Sequence, residues 1–350
     1  MMTQLPNELK DTFLQLVRKA VDNSCDVELP RDTDWANVLE LASSQGLLGV
    51  CQEALESLPA KTIPQQVLLQ WIGHSEIQRN QYEQAWNVAS KLDKLWAADG
   101  IHATVLKGRA IAKFYPVPCH RYSCDLDVFI GKEWGRACEL LEGKGIRLVH
   151  EVYKEVEFTL DNVYVECHRY ITPLRGNKHL KEFEHYLRSL LNSEPKTYFD
   201  GTTLVCPPLM FTVMLYVEHA LGDYLHGHLS LKHIVDWVML RRQDFNREEF
   251  ISRCMEFKFY RFLSLIDALA DVVEGKRGYH ELKPTYKDAF DEIFIVPKEG
   301  GAQSWFRRRV DLFFNIMKNG KKYQQFGYTS MPSFLWNSVW THFFNKEVKL

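Results

Sequence analysis

The sequence predicts an α+β fold, a small mixed sheet flanked by an N-terminal and a C-terminal helical lobe. Three observations carry that expectation. Apolar residues recur at three- and four-residue spacing up to about residue 100, short apolar runs bounded by turn residues replace that pattern between about 101 and 171, and the helical spacing returns from about 177. At 350 residues the chain exceeds what one core usually holds, roughly 250–300 residues, and the pattern divides it into 1–100, 101–176 and 177–350.

In the first lobe "ELKDTFLQLVRKAV", "DWANVLELASSQGLLGVCQEALESL" and "QQVLLQWIGHSEIQRNQYEQAWNVASKLDKLWAADG" read as helices, with Asp34 as an N-cap and Gly100 as a C-terminal stop. Next, "IHATVL" reads as a short buried strand, "KGRAIAKFY" as a turn entering a helix, "PVPCHRY" as a loop and "CDLDVFI" as a second strand. The helix "KEWGRACELLEGKG" ends at glycines, and "IRLVHEVY", "EVEFTL" and "VYVECHRYI" complete the sheet, the last two joined by a turn at Asp161-Asn162. The last lobe holds the helices "HLKEFEHYLRSLL", "PPLMFTVMLYVEHALGDYL", "LSLKHIVDWVMLRRQ" and "REEFISRCMEFKFYRFLSLIDALADVVEG". Within it, "EPKTYFDGTTLVCPP" reads as a short hairpin and linker, and "SWFRRRVDLFFNIMKNGKKYQQFGY" as an amphipathic helix against the body.

Composition excludes some classes. A formal net charge of −2 gives no global attraction to nucleic acid or an anionic membrane, so any phosphate binding must be local. Even the most apolar segment is interrupted by Glu218 and His219, which argues against a membrane span. The N-terminal stretch lacks the apolar run of a secretion signal, so a cytoplasmic location is expected. The 8 cysteines form no CxxC pair and read as reduced core thiols, a Cys119–Cys124 bridge being the one alternative.

The segment "CDLDVFI" carries the chemistry. Strand alternation puts Asp125 and Asp127 on one face and Leu126, Val128 and Ile130 on the other. Two carboxylates so close repel, and removing each from water uncompensated costs several kcal/mol, so the pair calls for a cation, usually a metal, or for an exposed strand end. A strand, a Gly turn, a helix, an Asp-x-Asp strand and a later strand with a lone acid form the layout of a nucleotidyl-transfer site, where three acids clamp divalent ions around an in-line displacement at phosphorus. Glu166 in "VYVECH" is the candidate third acid, ligating metal and helping to deprotonate the acceptor hydroxyl, with Glu155 and Glu157 as competitors. In the turn "LKGRA", Gly108 lets backbone approach a triphosphate while Lys107 and Arg109 add charge, and Arg121 is a further phosphate candidate.

In "VLKGRAIAKFYPVPCHRYSCDLDVFI", "VYVECHRYI", and "MLYVEHA" followed by "LKHIVDWVML", the sequence resembles the bacterial uncharacterised nucleotidyltransferase family of the polymerase-beta-like nucleotidyltransferase superfamily. The resemblance covers roughly residues 30 to 245 and departs from the superfamily pattern in placing Lys107-Gly108-Arg109 where a Gly-Ser turn stands. It implies that Asp125, Asp127 and Glu166 ligate Mg2+ or Mn2+, and that the substrate is a nucleoside triphosphate. The reaction expected is transfer of a nucleoside monophosphate to a hydroxyl on a small molecule, a protein or an RNA. The near-neutral charge argues against a long nucleic-acid acceptor.

Two other readings stand beside this one. A nucleotide-sensing regulatory module would bind the triphosphate without turnover. A zinc hydrolase would draw on the cluster His219, Asp223, His226, His228, His233 and Asp236, although no HExxH spacing supports it. His219 and Asp236 read instead as polar anchors between two helices facing the nucleotide cleft. His168, on the same strand face as Glu166, reads as a group touching substrate or a ligand residue, or as a structural histidine.

Overall fold

A computed structural model describes residues 6–27, 29–59, 61–151, 153–174, 178–193, 195–295 and 319–327. The α+β class is what the structure has. Helices α1 (Asn7–Val21), α2 (Trp35–Ser44), α3 (Leu48–Glu56) and α4 (Gln65–Ala97) come first. Asp34 caps α2 by accepting a hydrogen bond from the Asn37 backbone N–H, and Gly100 takes a left-handed φ of +73° just past α4.

The alternating region yields β1 (Thr104–Val105), α5 (Lys107–Ala112), β2 (Asp125–Phe129), α6 (Trp134–Gly143), β3 (His150–Glu151), β4 (Glu155–Leu160) and β5 (Val163–His168). Asp161 and Asn162, both at positive φ, make the two-residue turn of the β4–β5 hairpin. Then come α7 (Lys178–Ser193), β6 (Thr197–Tyr198), β7 (Val205–Cys206), α8 (Leu209–His226), α9 (Leu231–Arg241), α10 (Arg247–Glu256), α11 (Tyr260–Val273), α12 (Pro284–Ile293) and α13 (Gly320–Phe326). Most of the tail segment expected to form an amphipathic helix lies outside the described residues; its described part, α13, buries Tyr323 and Phe326.

Among the described residues seven strands form one sheet in the order β3-β4-β5-β2-β1-β7-β6, with β2 parallel to β5 and antiparallel to β1. The sheet extends past the segment from which it was expected: the β6–β7 hairpin lies beyond residue 171, and β7 pairs in parallel with β1, Val205 standing opposite Thr104. "IRLVHEVY" contributes only the two residues of β3, and "IHATVL" only those of β1.

The two faces of the sheet differ. Leu126 and Val128 of β2, Val156 and Phe158 of β4, and Val165 and Cys167 of β5 are fully buried against α6 and the C-terminal half of α4 from Ala85 to Trp96. A second apolar cluster joins α1–α3 and Trp71 of α4 to α7–α13, so helices from both ends of the chain share it. One 33-residue helix, α4, therefore contributes to both clusters. All 8 cysteines are free, so the Cys119–Cys124 bridge does not form. No helix among the described residues is long and apolar enough to cross a membrane.

Helix α9 is fixed at its C-terminal end by Glu274, a 3% exposed carboxylate that takes Arg241, Arg242 and Lys276 together. Burial alone would raise the Glu274 carboxyl, but hydrogen bonds from Lys276, Arg241 and Arg242 outweigh it and bring the pKa down to about 2. Because the folded value lies below the ordinary 4.5, the stabilisation is present above about pH 4.5 and is lost as pH falls toward 2. Urea midpoints of the wild type and Glu274→Gln are expected to differ most near neutrality and to converge on acidification. A constant gap would show that the carboxylate charge does not hold this end of α9.

Candidate active site

The face of the sheet opposite α4 and α6 carries the acids, and strand register sets them in rows. Asp127 on β2 stands opposite Glu166 on β5, which stands opposite Glu157 on β4. In the next row Phe129, His168 and Glu155 are aligned, and in the previous one Asp125, Tyr164 and Thr159. Ligand atoms of Asp127, Glu166 and His168 lie within 4.8 Å of one another, a group that could hold a metal ion. Asp125 is outside that group; its Oδ1 accepts a hydrogen bond from Ser123 Oγ at 3.0 Å.

His168 is fully buried between carboxylates, its Nε2 2.9 Å from Asp127 Oδ1 and its Nδ1 2.8 Å from Glu155 Oε2. Burial and the charge of Lys154 push the imidazole pKa down, yet the contacts with Asp127, Glu155 and Glu166 outweigh them and the net shift is upward. Glu155 is thus occupied by His168 and by Lys154, 2.9 Å away.

Lys107 occupies a place the sequence did not suggest. Its ammonium lies 2.6 Å from Asp127 Oδ1 and 3.4 Å from Glu166 Oε2, bridging the two acids. Burial would raise the Asp127 carboxyl, but Lys107 and His168 hold it well below the usual carboxylate range. The backbone of Lys107 sits at a φ of +44°, a left-handed conformation unfavourable for a side-chain-bearing residue by about 1–2 kcal/mol. This sharp turn between β1 and α5 directs the chain back over β2, where the Leu106 N–H bonds the Asp127 carbonyl at 2.9 Å.

The other three residues of the turn and loop are engaged with the chain itself. A Cβ at Gly108 would meet Ser123 Oγ at 2.3 Å and Arg121 Nη1 at 2.5 Å, so glycine is required here by side chains crossing over it. Arg109 is 3% exposed, stacks 4.7 Å from the centre of the Tyr82 ring, and is pushed down to about 10 by burial. Arg121 is buried, and its Nε and Nη2 donate to Asp236 Oδ1 and Oδ2 at 3.1 and 2.8 Å. Asp236 therefore anchors α9 to the loop before β2, with Tyr115 also donating to it at 2.6 Å. His219 instead pairs with Asp223 on its own helix, and Asp223 also lies 3.0 Å from His233 Nε2.

The family described as uncharacterised nucleotidyltransferase has a model that matches residues 31–273. The chain belongs to that family. The matched span includes the whole acid face, Lys107 and the Arg121–Asp236 pair. No curated protein and no solved structure matches the chain. Membership in a nucleotidyltransferase family supports a transferase, and the Asp127–Glu166–His168 group could hold a metal ion.

Proposed function

We propose that the chain is a metal-dependent nucleotidyltransferase, built on the polymerase-beta-like scheme and working in the bacterial cytoplasm. It moves a nucleoside monophosphate from a nucleoside triphosphate to a hydroxyl on a small molecule, a protein or an RNA. The observation that carries this reading is the register pairing of Asp127 with Glu166, beside His168 and under the Lys107 ammonium. Carboxylate oxygens suit Mg2+ and Mn2+. Bound there, such an ion would neutralise charge on the phosphates.

Asp127 and Glu166 would hold the ion, with Asp125 at the end of the strand completing the acid set. His168 fixes the orientation of Asp127. Of the four residues assigned to the triphosphate from the sequence, Lys107 is the one placed to exchange carboxylates for phosphate oxygens; Gly108, Arg109 and Arg121 shape the wall behind it. In the transfer, the acceptor oxygen forms a bond to the α-phosphorus while the bond from that phosphorus to the bridging oxygen breaks. Pyrophosphate leaves, and the acceptor proton passes to Glu166.

One observation favours the nucleotide-sensing module as a second reading: Lys107 already supplies a cation to Asp127 and Glu166. Labelled triphosphates with Mg2+ or Mn2+ and a cell extract separate the two. Ion-dependent pyrophosphate release with label on an acceptor is expected; nucleotide binding without release would establish the sensor.

A further inference from the structure

Beside the acid face, between α5, α8 and α9, lies a pocket of about 60 Å3. Phe211 and Tyr216 contribute apolar wall, while Lys107, Arg121 and Lys232 bring three cationic side chains against the one carboxylate of Asp236. Two of the three are matched. Lys107 pairs with Asp127 and Glu166, and Arg121 takes both oxygens of Asp236. The two histidines of the lining, His219 and His233, are both engaged with Asp223.

Lys232 is not matched: no carboxylate among the described residues lies within 4.0 Å of its ammonium. Its stem runs over Gly46, where a Cβ would come within 3.1 Å of Lys232 Cδ. Burial, and then the like charge of Arg121, disfavour its charged form; Asp236, Asp125 and Asp223 act in the opposite direction from beyond ion-pair distance, and the net shift is downward. An ammonium held in such a place without a carboxylate in contact is costly, and an anion from outside the chain would relieve that cost. The pocket has room for a few water-sized groups, which suits a compact anion.

We propose that this pocket is a phosphate subsite and that Lys232 is its binding residue. The assignment rests on the nucleotidyl-transfer reading for its choice of phosphate among anions. The phosphate belongs either to the tail of the triphosphate or to a phosphorylated acceptor.

Inorganic phosphate, titrated calorimetrically at constant ionic strength into the wild type, Lys232→Gln and Lys232→Arg, tests the proposal. A charge-assisted hydrogen bond is worth enough that Lys232→Gln is expected to weaken binding about tenfold or more, while Lys232→Arg retains most of it. Repeating the titration with a saturating non-hydrolysable triphosphate identifies the source: loss of the phosphate signal assigns the subsite to the triphosphate tail, and its persistence assigns it to the acceptor. Equal binding by the wild type and Lys232→Gln, or no binding to the wild type, overturns the proposal. Lys232-dependent binding in a protein that never releases pyrophosphate would leave the subsite standing and remove the transfer reaction.

Discussion

Replacing Asp127 with Asn is expected to abolish pyrophosphate release and, separately, to lower the stability of the metal-free protein. On activity, loss of residues that merely orient metal ligands costs about 10–100-fold, so loss of a ligand itself should cost at least about a hundredfold. On stability, the carboxylate is 2% exposed and is contacted by Lys107 at 2.6 Å and His168 at 2.9 Å. Removing one partner of a buried ion pair typically costs about 3–5 kcal/mol; Glu166 remains 3.4 Å from the Lys107 ammonium, so the lower end, about 3 kcal/mol, is expected. Turnover assays and urea denaturation in chelator measure the two effects. Wild-type turnover would remove Asp127 from the site, and unchanged or raised stability would show that repulsion among the acids outweighs the Lys107 pair.

The second large effect belongs to Arg121. Arg121→Met leaves the 1% exposed Asp236 carboxylate without its guanidinium partner, at a cost of about 3–5 kcal/mol. Adding Asp236→Leu should recover much of that loss, since an apolar pair of similar volume replaces a buried ion pair, less about 1 kcal/mol for the Tyr115 hydroxyl that loses its acceptor. A urea double-mutant cycle over the four proteins reads the coupling. Additive losses would mean that Arg121 and Asp236 stabilise the fold independently.

Several features were legible in the sequence because each is written within one short window. Asp34 as an N-cap and the Asp161-Asn162 hairpin both follow from local backbone preferences. The shared face of Asp125 and Asp127 follows from strand alternation, as does that of Glu166 and His168. Helical spacing revealed the long α4 but not its division between two apolar clusters, because an amphipathic stripe does not specify its partner.

Local pattern thus determined the α+β class, the acid-bearing strands and the residue types available for phosphate chemistry. Tertiary structure decided which charges meet. Register placed Asp127 opposite Glu166 and kept Asp125 outside the Asp127–Glu166–His168 group. A left-handed turn at Lys107 brought an ammonium to Asp127 and Glu166, so an Asp127 substitution removes an attraction as well as the repulsion from Asp125 that the sequence shows. Closure of the chain over 115 positions gave Arg121 its partner in Asp236 and left Lys232 with no carboxylate within 4.0 Å among the described residues. Coulomb energies depend on separation and burial, and for residues so far apart in sequence both are set by the folded chain.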